Sequence, residues 1–143
     1  MSARRTAAAL VLTLVLVGTA RAASVEVELD GIDPGAGRVY VGLCAGGLSE
    51  ADCRIGQDAP ARAPGQRFVF EDVAPGTYAV AAFQDLNGNG RLDRTGLGLP
   101  LEPYGFSGEP VRAARPDFER ARFGLREPGL RLRLRLARAL PAR

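Results

Sequence analysis

The chain has 143 residues, 46% hydrophobic and 24% charged, enough for one domain with one core, and no internal repeat or second domain is visible in its pattern. Its 19 basic and 16 acidic residues give a formal charge of +3, but Arg4, Arg5 and Arg21 fall in a leader that carries no acid. Removing those three leaves 16 basic residues against 16 acids, and a neutral mature chain has no global pull on nucleic acid.

Residues 1–22 read as a secretory signal peptide. Arg4 and Arg5 form the positive n-region, Ala7 to Gly18 the apolar run, and Ala20-Arg21-Ala22 a small-x-small cleavage site. The apolar run is short for a membrane span, so an uncleaved N-terminal anchor is the lesser alternative. No Cys follows the cleavage region, so a lipid-modified N-terminus is not expected. Residues 23–143 are the mature domain, expected to be a monomer in the periplasm or outside the cell. No transmembrane segment is expected after leader cleavage.

Val25-Glu26-Val27-Glu28-Leu29 alternates apolar and acidic residues, the period-2 pattern of a half-buried strand. Gly31 to Gly37 reads as a turn, and Arg38 to Leu43 as a second strand with Val39, Val41 and Leu43 on one face. Cys44 to Gly65 is expected to be a long loop. Within it Cys44 and Cys53 are predicted to form a disulfide, as an even pair this close does in an exported protein. A redox-active pair is the sharper alternative, but the spacing is far from C-x-x-C. Metal binding by the thiols is weaker still, because the chain has no His.

Arg67 to Val73 is the next predicted strand, and Ala74-Pro75-Gly76 a turn. Thr77 to Gln84 is apolar on both faces and is predicted to be central to its sheet. Gly96 to Pro116 is expected to be irregular, with Pro100, Pro103, Pro110 and Pro116 blocking regular ladders. Asp117 to Arg120 reads as one helical turn, after which Ala121, Phe123 and Leu125 alternate with Arg122, Gly124 and Arg126. In the last strand Leu130, Leu132, Leu134 and Leu136 alternate with Arg131, Arg133 and Arg135. A helix would scatter those leucines; a strand puts them on one face. The expected fold is all-β, a single-domain sandwich of about seven strands, immunoglobulin-like or prealbumin-like.

The run Asp85-Leu86-Asn87-Gly88-Asn89-Gly90-Arg91-Leu92-Asp93 carries the most specific chemical signal. Oxygen-bearing side chains recur at alternate positions, so a tight loop can aim several of them at one hard cation such as calcium. Asp85, Asn87 and Asn89 fit the first, third and fifth positions of a helix-loop-helix calcium loop. Gly90 fits the sixth, the carbonyl of Arg91 the seventh and Asp93 the ninth. The match then fails: Gly96 stands where a bidentate Glu belongs, and a strand precedes the loop. Glu102 is the nearest later carboxylate and is the candidate to fold back as a further ligand. With two neutral amides among the ligands, the expected affinity is weak, on the order of 10⁻⁴–10⁻³ M. The competing reading is a plain turn, since Asn-Gly dipeptides and local side-chain bonds can satisfy such a loop alone.

Pro75-Gly76-Thr77-Tyr78-Ala79-Val80, Phe83 to Gly90, Gly98 to Ser107 and Pro116 to Phe123 together resemble a bacterial family of exported proteins, domain of unknown function 2141. The resemblance runs from about Val25 to Leu125. It implies a small secreted β-sandwich and no known activity. Leu86 stands where the resemblance implies a polar residue and Pro103 where it implies Gly; Leu86 is at a non-liganding position, whereas Pro103 stiffens the chain beside Glu102. Tyr104, Phe106 and Ser107 either plug the open end of the sandwich or line a ligand groove, and Tyr78 reads as a corner aromatic whose hydroxyl meets the backbone.

The function expected from these features is a non-enzymatic exported module that binds a partner or an envelope ligand, with calcium shaping one loop. Two alternatives stand beside it. Asp85, Asp93 and Glu102 could serve a carboxylate-dependent glycan hydrolase, although the chain lacks His and any Gly-x-Ser-x-Gly motif. The row Arg131, Arg133 and Arg135 could meet an anionic surface, or be a solvated strand face paired with neighbouring acids.

Overall fold

The computed structural model describes residues 21–108 and 116–140. Residues 1–20 of the predicted leader, and Pro110 with its neighbours, lie outside the described residues. The architecture is an all-β sandwich of eight strands in two sheets, with one short helix. The strands are β1 (Ala23–Asp30), β2 (Arg38–Cys44), β3 (Ile55–Pro60), β4 (Gln66–Val73), β5 (Gly76–Asp85), β6 (Tyr104–Phe106), β7 (Phe123–Leu125) and β8 (Gly129–Arg135). The helix α1 spans Phe118–Ala121. Asp117 caps it by accepting the N–H of Glu119 at 3.0 Å.

The three-stranded sheet has the order β4-β1-β8. β1 pairs antiparallel with β4 and parallel with β8. Its alternation VEVELD sends Val25, Val27 and Leu29 into the core and the acids outward. The parallel register sets Glu26 beside Arg131, Glu28 beside Arg133 and Asp30 beside Arg135. The two alternations therefore interlock, leucines against valines inside and arginines against acids outside. Arg131 reaches Glu26 at 3.1 Å, and Arg133 reaches Glu28 at 2.9 Å and Asp30 at 3.8 Å. This is the geometry of a solvated strand face paired with neighbouring acids.

The second sheet runs β3-β2-β5-β6, with β7 also paired to β5. β5 is central, as its two apolar faces predict. Two strands lie where the chain was expected to be irregular. β3 falls inside the anticipated 44–65 loop; its residues Ile55-Gly56-Gln57-Asp58-Ala59-Pro60 are almost all exposed, so as an edge strand it shows no buried alternation to read. β6 falls inside the anticipated 96–116 segment, where three residues between prolines are too few to show a period. The count is thus eight strands rather than about seven.

Both faces meet in one hydrophobic cluster that includes Val25, Val27, Leu29, Val39, Val41 and Leu43. The sheets are also stitched along their sides. Tyr104 and Ala137 exchange two backbone hydrogen bonds of 3.0 Å, joining β6 to the end of β8. Gly105 permits this approach, since a Cβ there would lie 2.9 Å from the Arg135 carbonyl oxygen. On the other side the Gln57 side chain donates to the Val69 carbonyl at 2.6 Å, linking edge strands β3 and β4. Tyr78 fills its expected corner, donating to the Ala74 carbonyl at 2.8 Å.

Leu29→Ala should lower unfolding stability by about 2–5 kcal/mol, because it opens a cavity in the middle strand of its sheet. Arg133→Ala should cost much less, because its guanidinium is exposed and its ion pairs lie at the surface. Urea unfolding of both variants checks the contrast. A cost for the arginine equal to that of the leucine would mean the outer ladder, not the core, holds β8.

Candidate functional site

The run from Asp85 to Asp93 begins at the last residue of β5 and curls over the outer face of its sheet. Asp85 is fully buried, and its carboxylate serves the backbone. Oδ1 accepts the N–H of Gly88 at 2.8 Å and of Asn89 at 3.3 Å, and Oδ2 accepts that of Gly90 at 2.7 Å. Gly88 and Gly90 take positive φ, which bends the chain tightly around this carboxylate.

Glu102 does fold back, despite Pro103 beside it. It is 5% exposed. Oε1 accepts the Leu86 N–H at 2.8 Å and Oε2 the Asp93 N–H at 3.1 Å, so one carboxylate clamps both ends of the loop. The donors of Asp85 and Glu102 together are five backbone N–H groups.

Asn87, Asn89 and Asp93 form the second, more exposed half of the site. The Asn89 Nδ2 donates to both Asp93 oxygens at 2.8 and 2.9 Å, and the Asn87 Nδ2 donates to Oδ2. The amide oxygens face the other way: Asn87 Oδ1 accepts the Asn89 N–H at 3.2 Å, and Asn89 Oδ1 accepts the Arg91 N–H at 2.9 Å. The bonds from Asn89 and Asn87, aided by the charge of Arg91, hold the Asp93 carboxyl below its ordinary range, against a smaller opposing effect of desolvation.

The predicted side-chain ligands are therefore brought together, but into two sets. Asp85 and Glu102 are committed to backbone donors. Asn87, Asn89 and Asp93 converge on one another, with a single carboxylate among them. Among the described residues no three or more His, Cys, Asp or Glu side chains are grouped to hold a metal ion. A cation entering at Asp93 fits only if both amides turn their oxygens toward it, a rotation of nearly constant shape that gives up the bonds those oxygens accept from the Asn89 and Arg91 N–H groups.

The predicted disulfide joins Cys44 to Cys53. In the loop it closes, Asp52 accepts the Ser49 N–H at 3.0 Å and also its hydroxyl, which together lower the Asp52 pKa. Ser107 is 3% exposed and structural: it accepts the Val80 N–H at 2.8 Å and donates to the Ala121 carbonyl at 2.7 Å.

A groove of about 600 Å³ crosses the outer face of the five-stranded sheet, between the disulfide loop and the Asp85–Asp93 loop. Pairing registers place Asp58, Tyr40, Phe83 and Tyr104 in one row across the strands, and Gly56, Gly42, Ala81 and Phe106 in the next. Tyr40 and Phe83 stack at 5.0 Å. The first row is thus a ridge and the second a trench. Sequence reading offered Tyr104 and Phe106 as groove residues in one of two alternatives but missed the strand residues beside them, because only the register brings these residues side by side. The available signal was glycine at Gly42 and Gly56, which marks a close approach or an open strand surface: a Cβ at Gly42 would lie 3.3 Å from the Cys53 Cβ, whereas one at Gly56 would meet only the Val41 carbonyl oxygen at 3.7 Å.

An all-β sandwich with a disulfide-tethered loop and a carboxylate-clamped turn at one end is the class of protein these features define. Residues 27–131 match the family described as "Uncharacterized protein conserved in bacteria (DUF2141)", and the chain belongs to that family. No curated protein and no solved structure matches the chain.

Two outcomes follow from the geometry. Glu102→Ala leaves two loop N–H groups without their acceptor, so it should cost about 2–3 kcal/mol and speed amide exchange at Leu86 and Asp93. Hydrogen exchange confined to other residues would contradict the clamp. Replacing both cysteines by Ser should cost about 2–3 kcal/mol, the loop-closure value for a bridge spanning 9 residues. Chemical unfolding of the oxidised protein and the variant measures it.

Proposed function

We propose that the protein is an exported, non-enzymatic β-sandwich module that binds a partner or envelope ligand, and that calcium stabilises its Asp85–Asp93 loop. The observation that carries the reading is the convergence of Asn87 and Asn89 on Asp93 within a loop already clamped by Asp85 and Glu102. Clamping removes much of the ordering cost that a cation would otherwise meet. With its amides turned, the set supplies Asn87, Asn89 and Asp93 oxygens and the Arg91 carbonyl, with water completing the shell. Asp85 and Glu102 then hold the frame rather than the ion. Their engagement with backbone N–H groups also supports a binding role over acid-base catalysis, since a general acid needs a carboxyl free to exchange its proton with a substrate.

Export is supported by the Cys44–Cys53 bridge, which belongs in an oxidising compartment, together with the leader pattern of residues 1–22. No helix among the described residues is long and apolar enough to cross a membrane.

Calcium at about 10 mM should raise stability by about 1–3 kcal/mol for the affinity expected of such a loop, seen as a higher melting temperature reversed by chelator. The Asn87→Ala/Asn89→Ala variant should lose that response. A melting temperature unchanged by calcium in the native protein, or an equal response in the variant, would remove calcium from this loop.

A further inference from the structure

We infer that the groove on the outer sheet face is the ligand site of this module and that it takes an acidic oligosaccharide, one carrying uronate carboxylates. The inference deepens the binding-module reading above and does not depend on calcium. The trench floor is Gly56, Gly42 and Ala81, side by side on three strands, with Cys53 packed against the Gly42 position and Phe106 closing one end on the fourth. At ordinary strand spacing the four strands give it a length of about 14 Å. Its volume of about 600 Å³ lies in the range of small-ligand sites.

The chemistry of the walls selects the occupant. Arg91 and Arg94 line the groove from the loop side, both exposed, and neither lies within ion-pair distance of a carboxylate among the described residues. Arg94 donates to the Gly98 carbonyl at 3.1 Å, which holds its guanidinium in place. Two guanidinium groups so placed match carboxylates on a ligand. The opposite wall carries Ser49 and Glu50, which can accept from hydroxyl groups. Asp58 also lines the groove, but Arg38 engages it. Tyr40 and Phe83, stacked and half-buried, supply an apolar flank for C–H faces, with Tyr104 buried behind them.

A peptide is disfavoured by the direction of the trench. Extended peptides gain affinity from the free edge of a sheet. Here the floor crosses strands whose N–H and C=O groups are already spent on the ladders between β3, β2, β5 and β6. Recognition must come from side chains.

The test is calorimetric titration of the mature protein, in chelator, with oligogalacturonate, a neutral malto-oligosaccharide of equal length, and oligoglutamate. Oligogalacturonate should bind, with the neutral sugar at least about tenfold weaker. Arg91→Ala/Arg94→Ala should weaken uronate binding about tenfold or more and flatten its salt dependence. Gly56→Leu should abolish binding without lowering the melting temperature: a Cβ there meets only the Val41 carbonyl oxygen, at an ordinary 3.7 Å, so the side chain fills the trench and spares the fold. No binding of oligogalacturonate, equal binding of oligoglutamate or the neutral sugar, or binding untouched by Gly56→Leu would each overturn the inference. Because chelator is present throughout, uronate binding without a calcium response in melting keeps the groove and removes the cation, while the converse removes the groove alone.

Discussion

A buried backbone N–H must find an acceptor, and at the loop end of this sandwich buried side chains supply it. Four polar residues are buried among the described residues: Gln84, Asp85, Glu102 and Ser107. Each ties a piece of irregular chain to β5 or β6. Gln84 holds the turn after β1 by accepting from the Asp33 N–H and donating to the Asp33 and Ala36 carbonyls. Asp85 winds the next loop around its own carboxylate, Glu102 closes that loop, and Ser107 links β5 to the helix. No buried side-chain nitrogen or oxygen among the described residues is left without a partner. Each of these groups would cost about 1–3 kcal/mol if orphaned, so the irregular end is as tightly specified as the sheets.

The sheets rest on a different economy. β1 is the hinge of the smaller sheet, antiparallel to β4 and parallel to β8. Parallel pairing of the first and last strands brings distant parts of the chain together, and only register decides which charges meet. The register that buries Leu134 beside Leu29 is also the one that sets the arginine row against the acids of β1. A slip of one residue would bury arginines on the core face. The ion pairs contribute little energy at the surface, but they penalise the wrong register.

The proposed binding face joins these two halves. Gly90, Arg91 and Leu92 belong both to the clamped loop and to the groove wall, and Gly90 sits over the Tyr40 hydroxyl. Whatever orders the loop therefore also sets the position of the wall. The disulfide does the same for the opposite wall, since Leu48, Ser49, Glu50 and Cys53 line it. Rigid walls on a flat sheet are how a shallow groove gains affinity without depth.

Sequence by itself determined what depends on local spacing. Alternation in VEVELD and RLRLRLR specifies strands because the pleat has period two. Asp117 marks a helix start, the Cys pair a bridge, and the Asp85–Asp93 run a compact turn that gathers its own oxygens. The partners of those oxygens were not legible: Glu102 was a candidate from proximity alone, and its grip on Leu86 and Asp93 is set by where β6 returns. β3 and β6 escaped because an exposed edge strand and a three-residue strand bury too little to leave a pattern. The groove, beyond its aromatic end at Tyr104 and Phe106, belongs to tertiary structure. Gly56, Gly42, Ala81 and Phe106 are scattered along the chain, and only cross-strand register, fixed by burial of the opposite face, lines them up.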